Sequence, residues 1–147
     1  MRVLFAMRPP IPCGYSSVGK AVAKHLEYYG SDYIVIDNNP KHVKEALKDG
    51  VETYLGDMSK KSILEALHVK DCAIVIITLD NVDKKILICE ALAKENKEAN
   101  VIVKVVSVEE RAKFEALHVP MIVDSKVEVA RVLVEKVMSC QLKKVIG

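Results

Sequence analysis

The run Cys13-Gly14-Tyr15-Ser16-Ser17-Val18-Gly19, followed by the helical pattern Lys20-Ala21-Val22-Ala23, has the form of a phosphate-binding turn between a strand and a helix. In such a turn the first glycine makes the tight bend, the second lets the backbone approach a pyrophosphate, and the third lets helix pack on strand. Gly14 and Gly19 stand at the first and third places. Ser16 stands at the second, where its Cβ narrows the space and its hydroxyl can itself donate to a phosphate. The same spacing also serves a strand-to-helix turn without a ligand. Asp37 closes the run Tyr33-Ile34-Val35-Ile36-Asp37, 18 residues after Gly19. An acid about 20 residues beyond the glycines accepts from ribose hydroxyls and repels a 2′-phosphate. Asp37 is therefore expected to take both hydroxyls; with Asn38 and Asn39 next to it and no Arg, it favours NAD or an adenosine nucleotide over NADP. Its alternative role is a helix cap before Pro40.

Two further acids follow strand-like runs: Asp57 after Tyr54-Leu55-Gly56, and Asp80 in Thr78-Leu79-Asp80-Asn81. In an open parallel sheet the carboxyl ends of the strands line the ligand crevice, so Gly14, Asp37, Asp57 and Thr78 are expected to converge there. Each acid taken singly is also a good N-cap. His25, His42, His68 and His118 fall on helices or at their ends and read as surface or capping residues. Ser16 and Ser17 lack a Gly-x-Ser-x-Gly elbow, so no hydrolase nucleophile is evident, and neither catalytic residues nor a metal site is expected. Lys104 lies inside Val101-Ile102-Val103-Lys104-Val105-Val106, where a buried ammonium needs a partner. Its stem either snorkels to the sheet edge or its head meets an acid or phosphate.

Short β-branched runs must position these residues: Val3–Met7, Tyr33–Asp37, Val51–Tyr54, Cys72–Leu79, Val101–Val106 and Met121–Val123. They alternate with amphipathic stretches at Val18–Tyr29, Lys41–Lys48, Lys60–Leu67, Val82–Glu95, Glu109–Leu117 and Lys126–Met138. Runs as apolar as Ala73–Ile77 must be covered on both faces, which predicts an α/β, Rossmann-like, doubly wound parallel six-stranded sheet with helices on either side. Gly30 and Gly50 stand where helices should end, and Asn39-Pro40 and Asp57–Ser59 where they should start. Glu-Ala-Leu-His-Val occurs twice, at Glu65–Val69 and Glu115–Val119, each time closing a helix. The chain has 147 residues, 50% apolar and 29% charged, with 22 basic against 20 acidic residues. That fits one ordered domain over 1–147 and gives little electrostatic reason for a nucleic-acid partner. The most apolar run, Ala73–Leu79, is far short of the ~20 residues that span a bilayer, and a cytosolic address is expected. Cys13, Cys72, Cys89 and Cys140 form no Cys-x-x-Cys pair and read as small apolar residues.

These words together resemble the nucleotide-binding half of the RCK/TrkA-N family, cytosolic regulatory domains of potassium channels, uptake systems and Kef-type potassium/proton antiporters. The matching residues are Cys13–Ala23, Val35-Ile36-Asp37-Asn38-Asn39-Pro40, Gly56-Asp57, Ala73–Asp80 and Val101–Val105. The resemblance implies bound NAD(H) or AMP/ATP, no turnover, a homodimer, and control of a membrane-embedded potassium transporter or antiporter subunit, tethered or separate, at the inner face of the membrane. By position it implies Gly14, Ser16, Ser17 and Gly19 toward phosphate, with Tyr15 and Val18 in the same turn. It puts Asp37 and Asn38 at the ribose, Asp57 and Met58 at the adenine, and Thr78, Leu79 and Lys104 at the floor. The sequence departs from the family at Ser16, at Ser17 where Kef-type members often carry Arg, and at Arg8–Pro12, a proline-rich stretch where the family passes directly from strand to glycine. The C-terminal half of full RCK modules is also missing, which fits a Kef-like branch or an excised fragment. The competing reading is a small NAD-dependent oxidoreductase domain, for which a substrate domain or loop is lacking. Residues 126–139 are expected to form an interface helix, because Val127, Val129, Val132, Leu133, Val134, Val137 and Met138 make an apolar arc wider than a sheet face covers. The run Ile86-Leu87-Ile88-Cys89 shows a similar excess.

Overall fold

The computed structural model describes residues 9–69, 74–95 and 100–146. Six strands alternate with six helices among them: β1 (Ile11–Cys13), α1 (Ser17–Tyr28), β2 (Val35–Asp37), α2 (Pro40–Lys48), β3 (Thr53–Leu55), α3 (Lys61–Ala66), β4 (Ile74–Ile77), α4 (Val82–Glu95), β5 (Asn100–Val105), α5 (Val108–Ala116), β6 (Met121–Asp124) and α6 (Ser125–Ile146). All strands pair in parallel in the order β3-β2-β1-β4-β5-β6, the doubly wound arrangement, with the order reversing between β1 and β4. Val75, Ile77, Val101, Val103 and Val105 are buried, as strands covered on both faces require. One apolar cluster joins them to Leu64 of α3, Leu92 of α4 and Phe114 of α5, and a smaller one joins Ala23 of α1 and Ala46 of α2 to Val35 of β2.

The first strand among the described residues lies in an unexpected place. Val3–Met7 lies outside the described residues, as do Cys72 and Ala73 at the start of the fourth predicted strand. β1 falls inside the proline-rich stretch, at Ile11–Cys13, and runs directly into Gly14. The apparent Arg8–Pro12 departure is thus partly the strand itself. A central strand seldom holds proline, because proline gives no N–H to the ladder. Here the Ile34 amide donates to the Pro10 carbonyl at 3.1 Å and the Gly14 amide to the Ile36 carbonyl at 2.9 Å. Pro10 and Gly14 therefore both face β2. Pro12, two residues from each, faces the same way and contributes no donor on that side. Registered pairing between β1 and β2 is confined to Cys13 with Ile36, whereas all three residues of β1 pair with β4.

Helix ends follow one geometry four times. Gly30 and Gly50 take positive φ, and so do His68 (54°) and His118 (58°) of the repeated pentapeptide. The His68 amide donates to the Glu65 carbonyl and the Val69 amide to the Leu64 carbonyl, at 3.0 and 3.1 Å. His118 and Val119 repeat this on Glu115 and Phe114, at 3.0 and 3.2 Å. These are Schellman caps, closed by an apolar contact one residue further on. The histidines do cap, but through a left-handed backbone and not through imidazole and helix dipole. α6 runs past the predicted Met138 to Ile146, 22 residues or about 33 Å in all, and its side chains from Val129 to Lys143 are exposed.

Candidate functional site

The turn after β1 is built on close approach. Gly14 has φ +118°, and a Cβ on it would lie 2.8 Å from Thr78 Oγ1. A Cβ on Gly19 would lie 2.1 Å from the Gly14 carbonyl oxygen, so both positions demand glycine. Thr78, just past β4, donates its hydroxyl to the Cys13 carbonyl at 3.1 Å and ties the turn to the neighbouring strand end. Ser16 is the extended N-cap of α1, its side chain makes no capping bond, and Ser16, Ser17 and Val18 are exposed. The first-turn amides of α1 thus lack intrahelical partners and stand at an exposed helix start. Tyr15 points elsewhere. Its ring is buried in the cluster of α1, α2 and β2, and its hydroxyl donates to Asp49 at 2.8 Å. Burial, with the Asp49 carboxylate second, pushes its phenol up to about 12. Only its backbone faces the site, donating to Asp37 Oδ2 at 2.8 Å.

Asp37, at the end of β2, is 4% exposed and held from three sides. Besides the Tyr15 amide, the Asn39 amide donates to Oδ1 at 2.8 Å, and His42 Nδ1 lies 2.9 Å from Oδ2. His42 comes from the first turn of α2, whose start is fixed by the Asn39 side chain accepting from the Lys41 amide and by Pro40. Sequence reasoning gives His42 a surface or capping role; its contact with Asp37 is made by the bend of the β2–α2 turn.

Asp37, Asn38, Asp57, Met58 and Leu79 meet around a cavity of about 150 Å³ over Cys13. Asp57 Oδ1 accepts from the Ser59 amide at 2.8 Å and its hydroxyl at 2.7 Å. Burial pushes the Asp57 carboxyl up, but those two bonds and the charges of Lys60 and Lys84 outweigh it and hold the group below its ordinary value. The cavity wall also contains Cys13, Gly56, Ser59, Lys84, Leu87 and Ile88, which sequence reasoning did not assign to the site. The apolar run of α4 was the available signal: Leu87 and Ile88 line this cavity, and Cys89 is buried in the core. Cys13 lies on the floor as an inert thiol, raised far above its usual range by burial and then by the charges of Asp37 and Asp57. Cys89 is likewise buried, Cys140 is exposed, and Cys72 lies outside the described residues.

Lys104 takes the second of its two predicted places: its Nζ meets Asp80 Oδ1 at 2.5 Å, near the carboxyl end of the sheet. That bond, then the Lys104 charge, holds Asp80 below the ordinary carboxylate range. Among the described residues the fully buried cation is Lys85 of α4, 0% exposed, which pairs with Glu110 of α5 and donates to the Lys104 carbonyl at 2.8 Å. Glu110 in turn accepts from the Val106 amide at 3.0 Å, and Ser107 caps α5 by accepting from the Glu110 amide. Among the described residues no three His, Cys, Asp or Glu side chains form a metal-binding group, and no helix is long and apolar enough to cross a membrane.

Comparison with known proteins identifies the family and the fold. The model of the TrkA-N domain family matches residues 11–125. The Trk system potassium uptake protein TrkA of Mycobacterium tuberculosis is 31% identical over 81 residues, which make up 55% of this chain and 36% of that protein. The chain thus aligns with about a third of that relative's length. Several solved structures share the fold, among them the following two. The NAD(P)-binding domain of an exopolyphosphatase-related protein from Archaeoglobus fulgidus superposes with a TM-score of 0.81 at 19% identity, covering 90% of this chain and 99% of that one. The Kef C-terminal domain of Shewanella denitrificans, in AMP-bound form, gives 0.73 at 21% identity, covering 91% and 81%.

Proposed function

This chain belongs to the TrkA-N family, and from that premise we propose that it is the nucleotide-binding regulatory domain of a potassium transport system. The observation that supports the reading most directly is one crevice at the switch point of the sheet. There the Asp37 carboxylate, Asn38 and the Asp57–Met58 turn line one cavity over Cys13, and the exposed first turn of α1 follows the same turn of the chain after β1. A phosphate fits the amides of Ser16, Ser17 and Val18, where partial positive charge and free donors coincide. Asp37 and Asn38 then take the ribose, and the base lies between Met58 and Leu79. Thr78 and Lys104 serve from the floor: Thr78 by fixing the turn, Lys104 by its ion pair with Asp80. AMP, ATP, NAD and NADH all carry this adenosine-phosphate core.

The reading assigns no turnover. Asp37 and Asp57, the carboxylates of the cavity, are engaged by backbone amides, and the Cys13 thiol is held protonated by burial, which leaves no group poised as acid, base or nucleophile among them. The partner is a membrane-embedded potassium channel, uptake protein or antiporter subunit, with the Kef-type branch favoured, and the domain works at the inner face of the membrane. Assembly as a homodimer through residues 126–139 carries ligand state to that partner. Calorimetry with AMP, ATP, NAD and NADH tests the reading. At least one should bind, and Asp37→Ala should weaken it by about 1.5–3 kcal/mol, the worth of a hydrogen bond to a charged group. Equal affinity in variant and parent removes Asp37 from the site.

A further inference from the structure

Asp37 carries more hydrogen bonds than its expected role allows. A carboxylate has about four lone-pair positions, two on each oxygen. On Oδ2 one is taken by the Tyr15 amide at 2.8 Å and the other by His42 Nδ1 at 2.9 Å. Because a carboxylate oxygen has no hydrogen to offer, Nδ1 is the protonated nitrogen of His42 in this contact. On Oδ1 the Asn39 amide takes one position at 2.8 Å, and one remains. The side chain is 3% exposed, so no further face of the group is open. The 2′- and 3′-hydroxyls of a ribose are adjacent donors, and chelating both needs a free position on each oxygen. Oδ2 has none.

We propose that Asp37 reads a single ribose hydroxyl, and that His42 is the positioning residue that makes it so by filling Oδ2 and fixing the carboxylate plane. The inference rests on the nucleotide-binding reading above and deepens it, by stating which hydroxyl pattern the site distinguishes. The other hydroxyl faces Asn38 or water, where its loss costs little.

The test is equilibrium binding of 5′-AMP, 2′-deoxy-AMP and 3′-deoxy-AMP to the parent chain, His42→Ala and His42→Asn. In the parent, one deoxy analogue should bind about tenfold or more weaker than AMP, and the other within about threefold. In His42→Ala the second position on Oδ2 opens, and the tolerated analogue should now also fall several-fold below AMP. His42→Asn carries an N–H donor near the place of Nδ1 and should restore the parental asymmetry, which a general loss of packing would not. Near-equal losses for the two analogues in the parent overturn the inference, even if His42→Ala fails to fold. An unchanged analogue pattern in a folded His42→Ala overturns it too. Failure of AMP, ATP, NAD and NADH alike to bind the parent is a different result, which overturns the nucleotide reading and this inference with it.

Discussion

Ser16 shows how one side chain can be read from spacing and then placed by geometry. It occupies the position where a glycine lets backbone approach a phosphate, yet its backbone is extended and its hydroxyl makes no capping bond, so the Cβ is the only obstacle it brings. Ser16→Gly is therefore expected to leave nucleotide affinity unchanged or raise it, as measured by calorimetry. A loss above about tenfold would make the hydroxyl itself a phosphate ligand. Asp57 offers a pH test. Its carboxyl is held below its ordinary value in the folded chain, so the stability it contributes is present above the unfolded value of about 3.9 and is lost as pH falls through the folded value. Acid titration followed by circular dichroism should show Asp57→Asn less sensitive to that fall than the parent; identical acid profiles would remove Asp57 as a contributor. At this scale the sequence reveals residue types and spacing but not orientation. Gly14, Gly19 and Asp37 follow from turn chemistry, whereas the turning of the Tyr15 ring away from the crevice and the arrival of His42 at Asp37 depend on tertiary bends.

Elements were legible where local chemistry and burial agree. The β-branched runs that became β2, β4, β5 and β6 announce themselves, and Gly30 and Gly50 mark helix ends that the structure confirms with positive φ. β1 was hidden because its three residues carry Pro12 and follow Pro9 and Pro10, and proline argues against a central strand. The buried Lys85 was hidden because a lysine on an amphipathic helix reads as solvent-facing until Glu110 arrives from another helix. The repeated pentapeptide was visible, but its purpose lies in φ. His118 sits at 58°, a conformation that strains a side chain with a Cβ and suits glycine. His118→Gly should keep the Schellman bonds, relieve the strain and stabilise the domain by about 0.5–1 kcal/mol, part of the gain being offset by the freer unfolded chain. Thermal unfolding should rise by a few degrees. A fall instead would mean that the imidazole contributes more than the backbone conformation costs.

For the molecule as a whole, α6 is the outlier. Its polar stripe is tied by Arg131 to Glu128 and Glu135, while Val129, Leu133, Val134, Val137 and Met138 are more than half exposed, Leu133 at 62%. A contiguous apolar face of that length marks an interface. The chain is expected to sediment as a two-fold dimer at micromolar concentration, and Val132→Glu to shift it toward monomer. A monodisperse parent monomer would sink this assembly.

The proline in β1 has a mechanical consequence. Since Pro12 gives β2 no donor, the seam between β1 and β2 is the thinly stitched line of the sheet, dividing it into a small plate of β2 and β3 and a large plate of β1, β4, β5 and β6. Asp37 stands at the rim of the small plate, and Gly14, Thr78 and Lys104 belong to the large one. A nucleotide held as proposed, by Asp37 through its ribose and by the start of α1 through its phosphate, would lie across that line like a splint. On that proposal, occupancy of the crevice would change the stiffness between two halves of one sheet, and α6, which leaves the large plate directly from β6, would inherit the difference.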